Sequence, residues 1–236
     1  GRKNKFLMQS IENYLVNKRK DIILDQKPSA DSLEELLTFK PRTEKLVLKD
    51  AKLRTFITDA SHRDELVSHV YDTTFEVIQK NRDTLVIIDD SIVRGTTLEK
   101  SILTLLDNLS PKKIVIISSA PQIRFPDCYG IDMSKMKDFV AFRAVLSLLI
   151  DDGKEYLLEE VLEKCLTDQN TVNEVNYVKE LYACITYDQV SQKIAEIVKP
   201  KEMKAELEVV FQTVEGLHKA CPGHIGDWYF TGNYPT

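Results

Sequence analysis

Leu85-Val86-Ile87-Ile88-Asp89-Asp90-Ser91-Ile92-Val93-Arg94-Gly95-Thr96-Thr97 is the stretch that decides the fold of this chain. Leu85 to Ile88 are apolar without alternation. That is the pattern of a central strand in a parallel sheet covered on both faces. The strand ends in two carboxylates, and a loop with one glycine follows. Thr96 and Glu99 then stand at capping-box spacing. Ile102, Leu103, Leu105 and Leu106 recur behind them at helical spacing, so a helix is predicted from the loop to about Asn108. Pro111 breaks it, and Ile114-Val115-Ile116-Ile117 reads as a second buried strand within Lys113 to Ser118. Strand, helix and strand over about thirty residues make a βαβ unit.

A parallel strand delivers its C-terminal end to the ligand side of an α/β sheet. A helix starting there adds unpaired backbone N–H groups and a partial positive charge, which suits a phosphate monoester. Gly95 permits positive φ or a close backbone approach. Ser91, Thr96 and Thr97 offer hydroxyls, and Arg94 offers charge. Asp89 and Asp90 would repel a bare phosphate. They fit vicinal hydroxyls, a divalent cation, or both. A ligand with a phosphate at one end and a metal-bound diol at the other is a ribose 5-phosphate. Taken separately, the acidic pair also fits an exposed turn or the acidic pair of a phospho-acceptor receiver domain, and Gly-Thr-Thr fits a simple cap. The whole run between strand and helix is more specific than its parts.

Working outward, Phe6 to Arg19 and Asp31 to Phe39 read as helices, and Lys45 to Leu48 as a strand. From Arg63 a helix is marked by Leu66, Val67, Val70, Tyr71, Thr74, Val77 and Ile78. Ala120 to Asp132 reads as a loop. Helical periodicity then predicts Val140 to Leu149, Tyr156 to Leu166, Val172 to Cys184, Val190 to Val198 and Met203 to Leu217. The tail from Pro222 has no period. The expected organisation is α/β over residues 1–135 and a helical C-terminal region over 136–236 packed on it.

Composition narrows the function classes. The net charge of −5 gives no basic excess for a phosphate polymer, which argues against nucleic acid. No apolar run approaches the ~20 residues of a membrane span. Gly1-Arg2-Lys3-Asn4-Lys5 leads into a polar amphipathic stretch rather than a signal peptide. Cys128, Cys165, Cys184 and Cys221 form no Cys-x-x-Cys pair, so reduced thiols and a cytoplasmic location are expected. Cys221 and His224 have Cys-x-x-His spacing, half of a metal site.

Val86 to Thr97 resembles the signature of type I phosphoribosyltransferases, and within them it is most similar to the glutamine phosphoribosylpyrophosphate amidotransferase (amidophosphoribosyltransferase) family. Arg54-Thr55-Phe56-Ile57 with Arg63 and Val67 resembles that family's flexible catalytic loop. Ser118-Ser119-Ala120-Pro121 and Pro126-Asp127-Cys128-Tyr129-Gly130-Ile131-Asp132 resemble the segment after its next strand. Phe230-Thr231-Gly232-Asn233-Tyr234-Pro235 resembles its C-terminal end. The resemblance implies a type I phosphoribosyltransferase-like α/β fold, with a mostly parallel sheet, flanking helices and a helical C-terminal part. It implies Mg²⁺ and phosphoribosyl pyrophosphate, with ammonia from a glutaminase domain displacing pyrophosphate to give 5-phosphoribosylamine, the first step of purine synthesis. Asp89, Asp90 and Arg54 would then be catalytic, with Asp89 and Asp90 also holding the metal. Ser91, Ile92, Val93, Arg94, Gly95, Thr96 and Thr97 would hold the ribose 5-phosphate. Purine nucleotides would be inhibitors, and a homo-oligomer is expected.

The sequence also departs from the family. No glutaminase domain and no pyrophosphate-contacting loop upstream are evident, so a C-terminal piece of a longer protein, incomplete alone, is expected. Ser68, His69 and Val70 stand where the family is basic. Some members bind a [4Fe–4S] cluster; Asp127, Asp227 and Tyr229 stand near the ligand positions, so no cluster is expected. Arg124 and Tyr129 are equally readable as ligand contacts or as packing residues. Two other functions are carried forward: a nucleobase phosphoribosyltransferase, and a non-catalytic module sensing phosphoribosyl pyrophosphate or nucleotides.

Overall fold

The structure is a computed structural model that describes residues 2–39, 78–127, 129, 133–168 and 175–234. The chain forms two compact units, Gly1–Leu48 and Lys49–Thr236. The predicted strand at Lys45 to Leu48, Arg54 with its flexible-loop segment, and most of the helix predicted from Arg63 lie outside the described residues.

In the first unit, α1 (Arg2–Gln26) and α2 (Ala30–Thr38) are consecutive helices. α1 outruns the predicted Phe6 to Arg19 and absorbs Ile22-Ile23-Leu24. Ser29 caps α2, its hydroxyl accepting from the Ser32 N–H. No side chain of α2 is buried.

The second unit carries the sheet. β1 (Thr84–Asp89) is followed by a π-turn, Leu98–Ile102, that runs into α3 (Leu103–Asp107). β2 (Lys113–Ser118) comes next. A 3₁₀ turn at Met136–Asp138 leads into α4 (Val140–Asp151), and α5 (Tyr156–Thr167), α6 (Lys179–Ala183) and α7 (Tyr187–Val198) follow. β3 (Glu206–Phe211), α8 (Val214–Ala220) and α9 (Trp228–Thr231) complete the chain. The three strands are parallel, in the order β1-β2-β3. This is the type I phosphoribosyltransferase-like architecture expected above: a parallel sheet flanked by helices.

The register explains which residues are buried. Leu85, Ile114 and Leu207 stand abreast, as do Ile87, Ile116 and Val209. Ile114 and Ile116 are fully buried on this face. α7 packs on β3 and α4 packs on α7. Val140, Val145, Leu149, Val190, Ile194 and Val198 supply their buried seam. Each such aliphatic side chain contributes about 1.5–3 kcal/mol on burial.

Three expectations are corrected. β1 is not covered on both faces, because Val86 is 55% exposed and Ile88 39%. Its apolar run comes from propensity as well as burial, since β-branched residues suit a pleated backbone on either face. Met203 to Leu217 is not a helix: Glu206 to Phe211 is β3, and only Val214–Ala220 is helical. Strand pairing along β2 outweighs the helical propensity of its Ala, Glu and Leu residues. Asp107 fixes the entry to β3 by accepting the Lys204 N–H at 3.1 Å and the Ala205 N–H at 2.9 Å. No capping box at Thr96 is seen among the described residues, because Thr96 and Thr97 already lie in the first helical turn, where the Gly95 carbonyl accepts from the Glu99 N–H and Thr97 makes no side-chain cap bond.

Candidate functional site

The loop after β1 is built by tying its carbonyls to the rest of the fold. The Asp89 carbonyl accepts from the Ser119 N–H and hydroxyl, both at 2.9 Å. The Asp90 carbonyl accepts from the Ala120 N–H at 3.0 Å. The Val93 carbonyl accepts from the Val140 N–H at 2.8 Å, and the Arg94 carbonyl from the Arg143 guanidinium at 2.7 Å. The Gly95 carbonyl takes the first helical bond, from the Glu99 N–H at 3.0 Å. In a trans peptide the N–H points opposite to the C=O. Five consecutive or near-consecutive carbonyls turned into the fold therefore turn their partner N–H groups outward. Two of those are occupied: the Asp90 N–H by Asp89 Oδ1 and the Ser91 N–H by Asp90 Oδ1, each at 2.9 Å. The N–H groups of Arg94, Gly95 and Thr96 lie on the same outer side.

Gly95 has φ +74°, the left-handed region that favours glycine. It is also buried, and a Cβ there would sit 2.6 Å from Val198 Cγ1. The position admits no side chain on two independent counts. Ile92 is buried in the core, so its side chain anchors the loop rather than facing a ligand. Asp90, Arg94, Thr96 and Thr97 are exposed, while Asp89, Ser91 and Val93 are half-buried. Arg94 reaches Asp138 at 4.0 Å, a solvent-screened pair of little energetic weight. The structure thus gathers every site residue predicted from Asp89 to Thr97, and Arg54 lies outside the described residues.

Beside the loop lies a pocket of about 300 Å³ lined by Asp90, Ser119–Pro121, Leu217, His218, Cys221, His224, Asp227 and Phe230. His218 Nε2 is 2.9 Å from Asp227 Oδ2. Cys221 and His224 share this wall, but no group of three or more His, Cys, Asp or Glu side chains is arranged to hold a metal among the described residues. The two adjacent carboxylates still suit Mg²⁺, which keeps several waters and is held by one or two carboxylates plus substrate phosphates.

Arg124 is no part of this pocket. Its guanidinium lies 5.0 Å from the Tyr182 ring and 4.9 Å from the Tyr187 ring. It donates to Gln122 Oε1 at 3.1 and 2.8 Å. Burial lowers its pKa below the usual arginine value. The buried Gln122 in turn donates to the Tyr187 carbonyl and the Ser191 hydroxyl, both at 2.9 Å. Of the two readings open in the sequence, Arg124 takes the packing one.

One residue of the site was missed in the sequence. Arg143 lies one turn into α4, within Val140-Ala141-Phe142-Arg143-Ala144-Val145. Its signal was a lone arginine inside an otherwise apolar helical run.

No family model matches the chain. Individual relatives do. An amidophosphoribosyltransferase of Schizosaccharomyces pombe is 37% identical over 105 residues, 42% of this chain and 19% of that protein. One from Saccharomyces cerevisiae is 30% identical over 135 residues, 53% of this chain and 26% of that protein. One from Escherichia coli is 46% identical over 57 residues, 24% of this chain and 11% of that protein. This chain is similar to part of the amidophosphoribosyltransferases. It spans well under a third of the length of the relatives it matches.

Against that amidophosphoribosyltransferase pattern, the positions near which some members carry cluster ligands hold oxygen donors that bind each other. Tyr229 donates to Asp127 Oδ1 at 2.9 Å. Cys165, Cys184 and Cys221 are free thiols, and none of them is at these positions.

Proposed function

We propose that the loop from Asp89 to Thr97 binds the ribose 5-phosphate part of phosphoribosyl pyrophosphate. On this reading the chain carries the phosphoribosyl-transferring part of an amidophosphoribosyltransferase and acts in purine synthesis. The observation that carries the reading is the divided loop: carboxylates at the strand end, then N–H groups turned outward around a mandatory glycine. The exposed Asp90 and its neighbour Asp89 take the ribose hydroxyls and would hold Mg²⁺, whose chemistry is to neutralise the departing pyrophosphate. The N–H groups of Arg94, Gly95 and Thr96, with the hydroxyls of Ser91, Thr96 and Thr97, take the 5-phosphate. Arg54 and purine-nucleotide inhibition follow from the resemblance alone.

The reaction is ammonia attack on ribose C1 with loss of pyrophosphate, giving 5-phosphoribosylamine. Ammonia would come from the glutaminase part of the whole enzyme. This chemistry asks the protein for position and charge stabilisation of a loose, cationic sugar rather than for strong acid–base groups. We further propose that the tail closes through Asp127–Tyr229 without an iron–sulfur cluster.

The test is a titration with phosphoribosyl pyrophosphate and Mg²⁺, followed by ammonia and a pyrophosphate assay. Mg²⁺-dependent binding that Asp89→Asn and Asp90→Asn each weaken at least ~10-fold is expected. Binding without pyrophosphate release would favour the sensing module. Release that needs a nucleobase would favour a nucleobase transferase. No binding at all would overturn the reading.

A further inference from the structure

The phosphate loop is bonded from behind by one helix, α4, through two contacts on adjacent peptides. The Val140 N–H holds the Val93 carbonyl, and the Arg143 guanidinium holds the Arg94 carbonyl. These peptides are the ones whose other ends are the N–H groups of Arg94 and Gly95. Fixing both carbonyls fixes the aim of both donors, because the peptide is planar and trans. The Val140 bond is backbone to backbone and survives any substitution except proline. The Arg143 bond depends on one side chain.

Arg143 is also unusual in its own environment. The helix turn around it is apolar, with Val140, Ala141, Ala144 and Val145 buried. Its Nε is buried and meets no hydrogen-bond partner among the described residues. A buried donor in that state opposes folding, typically by more than one ordinary hydrogen bond returns. A neutral apolar residue would pack there at less cost. Among the described residues, the one hydrogen bond of its side chain runs to the loop.

We propose that Arg143 is a positioning residue for the phosphate site: it holds the Arg94–Gly95 peptide so that the Gly95 N–H faces the ligand, and its fixed cation adds positive potential behind the loop. The proposal rests on the ribose 5-phosphate reading above and names the device that orients that site. It touches the loop backbone rather than the substrate.

The experiment titrates the full chain, wild type, Arg143→Gln and Arg143→Lys, with ribose 5-phosphate by calorimetry, and follows the Gly95 amide by ¹⁵N correlation spectra with inorganic phosphate. Arg143→Gln is expected to weaken ribose 5-phosphate roughly 10- to 100-fold, the effect of one lost charge-assisted bond. The Gly95 amide should shift with phosphate in the wild type and barely in Arg143→Gln. Arg143→Lys keeps the cation and one donor and should recover part of the affinity. A merely structural role would lower the melting temperature of both variants without this graded rescue, and that result would overturn the proposal. Wild type and Arg143→Gln binding equally would overturn it while leaving the ribose 5-phosphate reading intact. A wild type that binds no ribose 5-phosphate would remove both. If Arg143→Gln does not fold, the Arg143→Lys affinity decides: equal to wild type with an unshifted Gly95 amide, it sinks the proposal.

Discussion

At the scale of single residues, Gly95 is where sequence and packing meet most sharply. Its φ of +74° disfavours any Cβ, and Val198 Cγ1 occupies the space a Cβ would take. Gly95→Ala should therefore cost about 2–4 kcal/mol, from overpacking together with backbone strain. In a unit of this size that is a fall in melting temperature of roughly 4–16 °C, measurable by scanning calorimetry. The two causes can be separated. Val198→Ala makes a small cavity by itself, but in the double variant it removes the obstruction. The double variant should be less destabilised than the sum of the singles by about 1 kcal/mol or more. Strict additivity would show that the backbone conformation alone excludes a side chain. The sequence announced this glycine through its place between strand and helix. It could not announce Val198, more than a hundred positions away, nor Arg143, because a side chain that serves a loop from a distant helix leaves no local period.

At the scale of elements, the segment after β2 is held by α6 and α7 through aromatic rings. Tyr182 on α6 donates to the Arg124 carbonyl at 3.1 Å, and the Tyr187 hydroxyl on α7 accepts from the Gln122 N–H at 3.0 Å. Burial raises the pKa of both phenols above the ordinary value of 10.0. For Tyr182 the neighbouring Arg124 only partly offsets that rise. A buried phenol kept neutral favours the folded state fully below the unfolded pKa. That contribution is lost as pH climbs from there through the raised folded value. Stability should thus fall above about pH 10, and Tyr182→Phe should flatten the fall while costing about 1 kcal/mol near neutrality through the lost bond. Urea midpoints measured from pH 8 to 11 check both parts; equal slopes in wild type and variant would contradict the assignment. Element reading from sequence worked where one signal dominated. Ile114 to Ile117 has no helical alternative of comparable strength. Glu206-Leu207-Glu208-Val209-Val210-Phe211 carried both periods, and its two-residue alternation was the one the sheet used: Val209 and Phe211 are buried while Glu206, Glu208 and Val210 are exposed. Such a strand, with one open face, is hard to distinguish from an amphipathic helix until its partner is known.

At the scale of the whole molecule, the last residues of the described chain are bonded to the segment after β2 in the second unit. The Tyr229 carbonyl accepts from the Arg124 and Phe125 N–H groups at 2.8 and 3.1 Å, while its hydroxyl holds Asp127. Asn176 donates to the Gly232 carbonyl at 3.1 Å, and Tyr234 to the Pro126 carbonyl at 3.0 Å. Phe125 itself is core, 2% exposed, and stacks tilted on Tyr182 at 5.3 Å. The tail is therefore bonded to a segment that is already part of the folded body, so it should unfold with that body rather than fray ahead of it. The single tryptophan of the chain, Trp228, sits in this tail against Tyr229 and edge-on to Tyr129, so it reports on how the tail seats on the segment after β2. In urea, the Trp228 emission transition should coincide with loss of exchange protection at the Ile114 and Ile116 amides in β2. Tyr229→Phe removes the Asp127 bond, and the bond to a carboxylate is worth about 1.5–3 kcal/mol. Because the tail and the sheet form one cooperative unit on this argument, both transitions should move down together. A Trp228 transition that shifts alone, with the β2 amides still protected, would make the tail an independently melting flap. The wall of the pocket beside Asp90 that Asp227 and Phe230 provide would then be only as persistent as that flap.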